Sequence, residues 1–243
     1  MEISRVMKDH SRIFLSRVVQ YLQLLSVSVW IVVICGACGG GGSSDGGLKG
    51  IRVLHASIEA APVDVLSSAD EEPLISQVFF GGSISYRNIS AVPQTISITR
   101  AFTPSRVVAS FDIDGALIER SSLLLYGDLS SLGLRATIIE DDVPSRVEES
   151  ALKFVHGLVG ASAILVSGYL DGRLLFEESI DFGGVSAYVT VPMDQAVQIV
   201  IHRVVDGRLV ESPSFALEKG RAYTALVTGE VGYYTKTVLY NDN

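Results

Sequence analysis

The sequence predicts an all-β protein made of two tandem immunoglobulin-like β-sandwich domains. Segments rich in β-branched residues alternate polar and apolar side chains, as in Gln94-Thr-Ile-Ser-Ile-Thr-Arg100, which is the pattern of half-buried strands. Turn signals recur about every 8–12 residues, a spacing typical of sandwiches. Motifs in the first half return in the same order in the second half. Together these features favour two similar β domains and no long helix.

Composition excludes several classes of protein. The chain has 243 residues, 48% of them hydrophobic and 19% charged, so it can bury a sizeable core. Its net charge of −8 argues against a nucleic-acid partner, which needs a basic face. With only 2 Cys and 4 His, neither a disulfide scaffold nor a cysteine-rich zinc site is expected.

The N-terminal 37 residues are predicted to be a lipoprotein signal peptide. A basic region with Arg5, Lys8, Arg12 and Arg17 precedes an apolar stretch from Tyr21 to Ile34. That stretch has about 14 residues, whereas a membrane-spanning helix needs roughly 20. Positive start, apolar middle and small-residue end define a secretory signal.

Cys38 is the predicted site of lipidation. Gly36-Ala37-Cys38, followed by a Gly/Ser run, resembles a bacterial lipobox with its flexible tether, so residues 38–50 are expected to be the lipidated Cys and tether. Lipobox signals imply cleavage before the Cys, whose thiol then carries diacylglycerol with palmitate among its acyl chains. The family pattern usually has Leu where Cys35 stands. The alternatives are an incidental Cys in an ordinary signal peptide or in an uncleaved anchor. Acyl chains would attach the protein to a membrane.

Four ordered matches predict an internal repeat. Their offsets are 101, 102, 102 and 100 residues. The matched pairs are Ile51–His55 with Leu152–His156, Phe80–Tyr86 with Phe182–Tyr188, Leu125–Asp128 with Val227–Glu230, and Thr137–Asp142 with Thr237–Asp242. Repeat 1 is expected at 51–142 and repeat 2 at 152–243. A polar linker is expected at 143–151, and each repeat is expected to fold alone.

Asp-Gly pairs mark predicted hairpin turns because Gly accepts a positive φ. They stand at Asp114-Gly115, Asp171-Gly172 and Asp206-Gly207. Asp112 and Asp114 also match a fragment of a calcium loop, but most of the ligand positions are missing, so a turn is the favoured interpretation. The Gly pairs of Phe80-Gly-Gly82 and Phe182-Gly-Gly184 lack the Lys-Ser/Thr of a phosphate loop, which favours bends or bulges.

The opening of the first repeat resembles a known family. Ile51-Arg-Val-Leu-His-Ala-Ser57 with Ala61-Pro-Val-Asp-Val65 is similar to the start of the bacterial domains of unknown function numbered 4397. That family also carries a Phe-Gly…Tyr segment before a Val-Pro turn, as in Phe182 to Tyr188 and Val191-Pro192. The second repeat departs from it, with Gly157-Leu158 in place of Ala-Ser. The resemblance implies an exported, often lipid-anchored β-sandwich and brings no catalytic residues.

Two histidines are candidate ligand residues, but a structural role is favoured. His55 and His156 occupy equivalent places near the start of each repeat. A metal site needs three or four converging ligands, and only Asp64 or Glu59 lies close to His55 in sequence. We therefore expect buried rings that hydrogen-bond to a neighbouring loop.

Other polar residues are assigned to packing or surface. Tyr86 and Tyr188 are expected to pack like the tyrosine corner of immunoglobulin domains. Asp141-Asp142 is expected to be solvated surface where the linker starts. No nucleophile elbow or ordered Ser, His and acid set is found.

The sequence therefore predicts a non-enzymatic cell-envelope lipoprotein with no cofactor, metal or catalytic residues. It is expected to be lipid-anchored, at the outer membrane or cell surface or on the periplasmic face. Its role would be a binding or scaffolding module with a glycan or protein partner. The alternatives are an accessory structural subunit of an envelope protein assembly and, more remotely, a hydrolase built from loop carboxylates. The ligand-binding residues are not identified by the sequence.

Overall fold

A computed structural model describes residues 50–242 except 84, 117, 130–132, 145–148 and 193–194. The predicted signal peptide, Cys38 and the predicted tether before residue 50 lie outside the described residues. In the described part every regular element is a strand, and the all-β fold class is confirmed. No helix there is long and apolar enough to cross a membrane.

The first half contains two sheets that enclose one core. One sheet has the order β1-β6-β7 and the other β3-β2-β4-β5. The strands are β1 Gly50–His55, β2 Val63–Ser67, β3 Ile75–Val78, β4 Pro93–Arg100, β5 Thr103–Asp114, β6 Arg120–Gly127 and β7 Leu134–Glu140. Alternate side chains from both sheets meet between them, including Val53, Val65, Ile98 and Leu123. This is the layered core of a β-sandwich.

The second half repeats this architecture. Its sheets have the orders β11-β8-β15-β16 and β10-β9-β12-β13, with β14 also paired to β12. The strands are β8 Ser150–Val159, β9 Ala163–Leu170, β10 Arg173–Asp181, β11 Val189–Val191, β12 Ala196–Arg203, β13 Leu209–Glu211, β14 Ser214–Ala216, β15 Ala222–Glu230 and β16 Tyr234–Asn241. Phe154, Val166, Ile199 and Ala225 lie in the core between the two sheets.

Strand pairing is equivalent in the two halves. β1 runs parallel to β6 with Arg52 opposite Ser122, and β8 runs parallel to β15 with Lys153 opposite Thr224. The last strands pair so that Ile139 corresponds to Tyr240, an offset of 101. The sequence match of Thr137 with Thr237 is therefore wrong by one residue. Because side chains alternate between faces, that slip would exchange inward and outward positions.

The predicted Asp-Gly turns are of two kinds. Asp171-Gly172 joins the antiparallel pair β9 and β10 with φ of 49° and 77°, as a type I′ hairpin requires. Asp114-Gly115 is not a hairpin, because β5 and β6 belong to different sheets. Gly115 is needed there because a Cβ would lie 1.9 Å from the carbonyl oxygen of Ser90.

The two halves share a third apolar cluster. All residues of β1 and β8 are buried, because alternate side chains face their own sandwich core and the other half. Leu54 and Leu124 of the first half pack with Val155 and Leu226 of the second. The described residues all lie in one compact unit. The sheet β1-β6-β7 therefore packs against the sheet β11-β8-β15-β16. Each repeat alone would expose this apolar face, which the expectation of independently folding repeats does not consider.

Candidate functional site

A buried cluster of charges lies at the centre of the interface between the halves. Arg52 Nη1 donates a 2.6 Å hydrogen bond to Asp242 Oδ1, and Lys153 Nζ donates to Asp141 Oδ1. Each cation thus pairs with the carboxylate of the other half. All four side chains are at most 3% exposed. These two cations and two carboxylates balance one another in charge, and Arg120 lies beside them, where it donates to the Asp242 carbonyl at 3.0 Å.

Hydroxyl groups complete the cluster with the same symmetry. Asp141 Oδ2 accepts from Ser122 at 2.6 Å and from Tyr86 at 2.8 Å. Asp242 Oδ2 accepts from Thr224 at 2.8 Å and Tyr188 at 2.7 Å. The tyrosine-corner interpretation is therefore wrong, because each hydroxyl bonds a side-chain carboxylate more than 50 residues away.

The tyrosine rings also stabilise the cations. The guanidinium carbon of Arg52 lies 4.8 Å from the ring centroid of Tyr86. Lys153 Nζ lies 4.9 Å from the ring centroid of Tyr188. Both distances are within the range of cation–π attraction.

The electrostatics of the cluster favour the charged forms of Arg52 and Asp141. Burial alone would raise the pKa of Asp141, but Lys153 and Arg52 outweigh that effect and lower it. Burial alone would lower the pKa of Arg52, but Asp242 and Asp141 outweigh it and raise it. Burial raises the pKa of Tyr86 and Tyr188. The pKa shifts of Arg52, Asp141, Tyr86 and Tyr188 all lead away from neutral pH, which points to a structural role for these four groups.

The interpretation of Asp141 as solvated surface is wrong. The residue is 5% exposed and holds Lys153. It, rather than Asp142, corresponds to Asp242, because both carboxylates accept from the equivalent tyrosine. The sequence signal was available: Arg52 and Lys153 are single charges inside apolar strands at equivalent positions. Such charges are rarely buried unless paired.

Ala56 and Gly157 are equivalent residues that meet each other across the interface. A Cβ built on Gly157 would lie 2.3 Å from the Cβ of Ala56. Thr228 Oγ1 closes the same contact by donating to the Ala56 carbonyl at 2.7 Å. The second repeat therefore has Gly157 where the first has Ala56 because a methyl group at position 157 would collide with that of Ala56.

His55 and His156 are fully buried and hydrogen-bonded, as expected. Each Nε2 lies within hydrogen-bond distance of a carbonyl in the connection to the next strand, that of Ala61 at 3.3 Å and Ala161 at 3.1 Å. His156 Nδ1 accepts from the Leu158 amide at 3.2 Å, so Nε2 carries the proton. Burial lowers the pKa of His156 to about 4 and also lowers that of His55.

The Phe-Gly-Gly segments form tight bends, as expected. Gly81 and Gly183 have φ of 67° and 80°. Their amides donate to the carbonyls of His55 and His156, each at 2.8 Å. Tyr240 also donates to the Gly81 carbonyl at 2.9 Å, so this bend contributes to the interface between the halves.

Candidate ligand-binding features lie on the surface. Within the described ranges, no group of three or more His, Cys, Asp and Glu residues is placed to hold a metal. A cavity of about 270 Å³ opens beside the turn between β15 and β16. Tyr233 on its rim is 80% exposed. No sequence pattern indicated this cavity, because its residues come from two separate hairpins.

The strand β5 is a second exposed feature. It is 12 residues long and forms one edge of its sheet. Most of its side chains are exposed, including Val107 at 56%. An edge strand presents backbone groups that a further strand can pair with.

Comparison with known proteins identifies one family. Residues 49–167 match the family described as "Domain of unknown function (DUF4397)", so a DUF4397 domain is found there. The match runs through the interface segment with Asp141 and Lys153 and ends in β9. No curated protein matches the chain significantly.

Three solved structures illustrate the structural similarities. A family CBM26 carbohydrate-binding module of Amy13K from Eubacterium rectale, in complex with maltoheptaose, has 10% identity and a TM-score of 0.27 over 78% of this chain and 95% of that one. The TIE protein of Bacillus anthracis has 13% identity and a TM-score of 0.28 over 75% and 34%. A candidate cell adhesion protein from Bacteroides ovatus has 12% identity and a TM-score of 0.26 over 79% and 96%.

Proposed function

We propose that this protein is a non-enzymatic binding module of the bacterial cell envelope. The observation that carries the proposal is the contrast between its buried and exposed polar groups. The buried charges neutralise one another between the halves, whereas an open cavity lined by two arginines and two tyrosines faces solvent. Buried charges that are paired with one another are consistent with a rigid scaffold. A solvent-facing cavity with aromatic and cationic side chains is consistent with a ligand-binding site.

We further propose that the chain carries two copies of the DUF4397 domain, at 51–142 and 152–243, joined by a linker at 143–151. The equivalent strand pairing of the halves supports this. So do the equivalent residue pairs of the interface, such as Arg52 with Lys153 and Asp141 with Asp242.

Cys38 is proposed as the attachment point. Residues 1–37 would be removed as the signal peptide, leaving a chain with 15 Lys+Arg and 25 Asp+Glu that begins with the acylated Cys38. Acyl chains, palmitate among them, would hold the protein at the outer membrane or cell surface, with the periplasmic face as the alternative. Cys38→Ala should abolish labelling by radioactive palmitate and release the protein from sedimented membranes. A Cys38→Ala protein that stays in the membrane pellet with an uncleaved N-terminus would contradict the anchor.

A second candidate function is that of an accessory structural subunit in an envelope protein assembly. The open edge of β5 favours it, because a partner could extend the sheet by one strand. A photo-crosslinking residue in place of Val107 would report such a neighbour.

The two functions are separated by two measurements, one of binding by the purified Cys38→Ala protein and one of crosslinking by the protein that retains Cys38. Envelope polysaccharide freed of protein and lipid is tested for saturable binding, and crosslinking from position 107 is tested in intact cells. Saturable binding supports the binding module, and one defined crosslinked protein supports the accessory subunit. Absence of both results contradicts both functions.

A further inference from the structure

The cavity at the end of the second half has an unusual charge for this chain. It lies between the β12–β13 hairpin and the β15–β16 turn. Its lining includes Arg203 and Arg208 and no carboxylate, although the chain has a net charge of −8. A solvent-facing concavity of this kind favours an anionic group.

The two arginines are held differently. Arg203 Nε donates to Asp206 Oδ1 at 3.0 Å, and its Nη2 donates to the other carboxylate oxygen. Hydrogen bonding to the Arg203 side chain lowers the pKa of Asp206. Asp206 therefore stays ionised and offsets the charge of Arg203. Arg208 makes no side-chain salt bridge among the described residues, although its backbone amide donates to Asp206 Oδ1 at 3.3 Å and its charge helps to lower the pKa of Asp206. It is therefore the guanidinium placed to meet a ligand, in the fork geometry that suits a carboxylate.

Aromatic and apolar side chains surround these cations. Tyr233 is 80% exposed and Tyr234 44%, while Leu209 beside them is 59% exposed. The turn places Tyr233 next to Gly232, which has φ of 84°. The ring of Tyr234 lies edge-on to Phe80, with centroids 6.2 Å apart, which anchors that side of the cavity to the first half. Tyrosine offers a rigid apolar surface at little entropic cost.

We propose that this cavity binds a glycan that carries carboxylate groups. The apolar face of a sugar ring packs on Tyr233, and the carboxylate accepts hydrogen bonds from Arg208. At about 270 Å³ the cavity is smaller than the roughly 300–1,000 Å³ of drug-sized sites, so it takes one sugar residue of a chain that continues over the surface. This inference rests on the proposed binding function and specifies its ligand class.

The test compares three polymers with the Cys38→Ala protein by isothermal titration calorimetry. Polygalacturonate supplies sugar and carboxylate, dextran supplies sugar alone, and poly-glutamate supplies carboxylate alone. We expect binding to polygalacturonate only, weakened by added salt. Arg208→Ala and Tyr233→Ala should each weaken it by about tenfold or more, as expected for loss of a charge-assisted hydrogen bond or an aromatic contact. Phe102→Ala is the control, because Phe102 is also 80% exposed but lies in the other half.

Several results would overturn the inference. Binding of dextran or poly-glutamate as tight as that of polygalacturonate would show that sugar alone or carboxylate alone is sufficient for binding. Unchanged affinity in Tyr233→Ala or Arg208→Ala would place binding elsewhere. If none of the three polymers binds while the envelope polysaccharide still does, the acidic-glycan class is wrong and the binding function stands. If the envelope polysaccharide is not bound either, both proposals fail.

Discussion

The guanidinium of Arg52 and the carboxylate of Asp242 lie 190 residues apart in sequence and share a 2.6 Å hydrogen bond at the interface between the two halves. The equivalent pair, Lys153 and Asp141, lies beside them and crosses the interface in the opposite sense. The two halves are therefore joined by reciprocal charges at buried positions. There, an unpaired charge is far more costly than in water.

Arg52→Met should lower the free energy of unfolding by about 3–5 kcal/mol, because it leaves a buried carboxylate without its cation. Urea denaturation of the purified protein measures this. Arg106→Ala is the control, since Arg106 is exposed on β5, and it should change stability by less than about 0.5 kcal/mol. Arg52→Met with Asp242→Leu should cost less than the sum of the single changes. Additive losses would show that the pair is not coupled.

Gly157→Ala should destabilise the protein by about 1–3 kcal/mol through overpacking. The added methyl group would lie 2.3 Å from that of Ala56. Gly157 has no left-handed φ, so the effect is steric. The double variant Ala56→Gly/Gly157→Ala moves the methyl to the other side of the contact and should recover most of the melting temperature. A double variant less stable than Gly157→Ala would refute this account of the contact.

Stability should fall as the pH is lowered from about 6.5 to 4. Burial lowers the pKa of His156 to about 4, below the value of about 6.5 in an unfolded chain. Between these values the unfolded state binds the proton and the folded state does not, so acidification favours unfolding by up to about 3 kcal/mol. His156→Gln should reduce this slope in denaturation series at different pH.

Part of the slope should remain in His156→Gln, because burial also lowers the pKa of His55. The pKa of Asp141 is lowered as well, so its contribution is lost only at pH values below this window. His202→Gln is the control, since His202 is only partly buried. An identical slope in wild type and His156→Gln would contradict the assignment.

Residues 150–243 expressed alone should lack the cooperative unfolding transition of the whole protein. The fragment exposes Val155 and Leu226, which the other half covers, and leaves Lys153 without Asp141. Adding residues 46–142 at equal concentration should restore a cooperative melt by circular dichroism. A sharp transition of the fragment alone, at the melting temperature of the whole chain, would favour the independent repeats that the sequence suggested.

Much of the fold follows from local sequence. Alternating side chains, β-branched residues and Gly-containing turns predicted strands and sandwiches, because pleat and turn geometry depend on neighbouring residues. The burial and hydrogen bonding of His55 and His156 were also predictable, since a His within an apolar strand must find a partner. The Phe-Gly-Gly bends were predictable because only Gly readily adopts a positive φ.

What the sequence by itself determined was the strands, the ordered recurrence of motifs and the place of each histidine. Only the tertiary structure decided that Asp141 is buried, that Tyr86 bonds it, and that Gly157 must be small. These properties depend on which sheet faces pack together. The sequence of a single strand does not reveal which side chains of the facing sheet will contact it. The surface cavity was hidden for the same reason, since Arg208 and Tyr233 become neighbours only when two hairpins of different sheets come together.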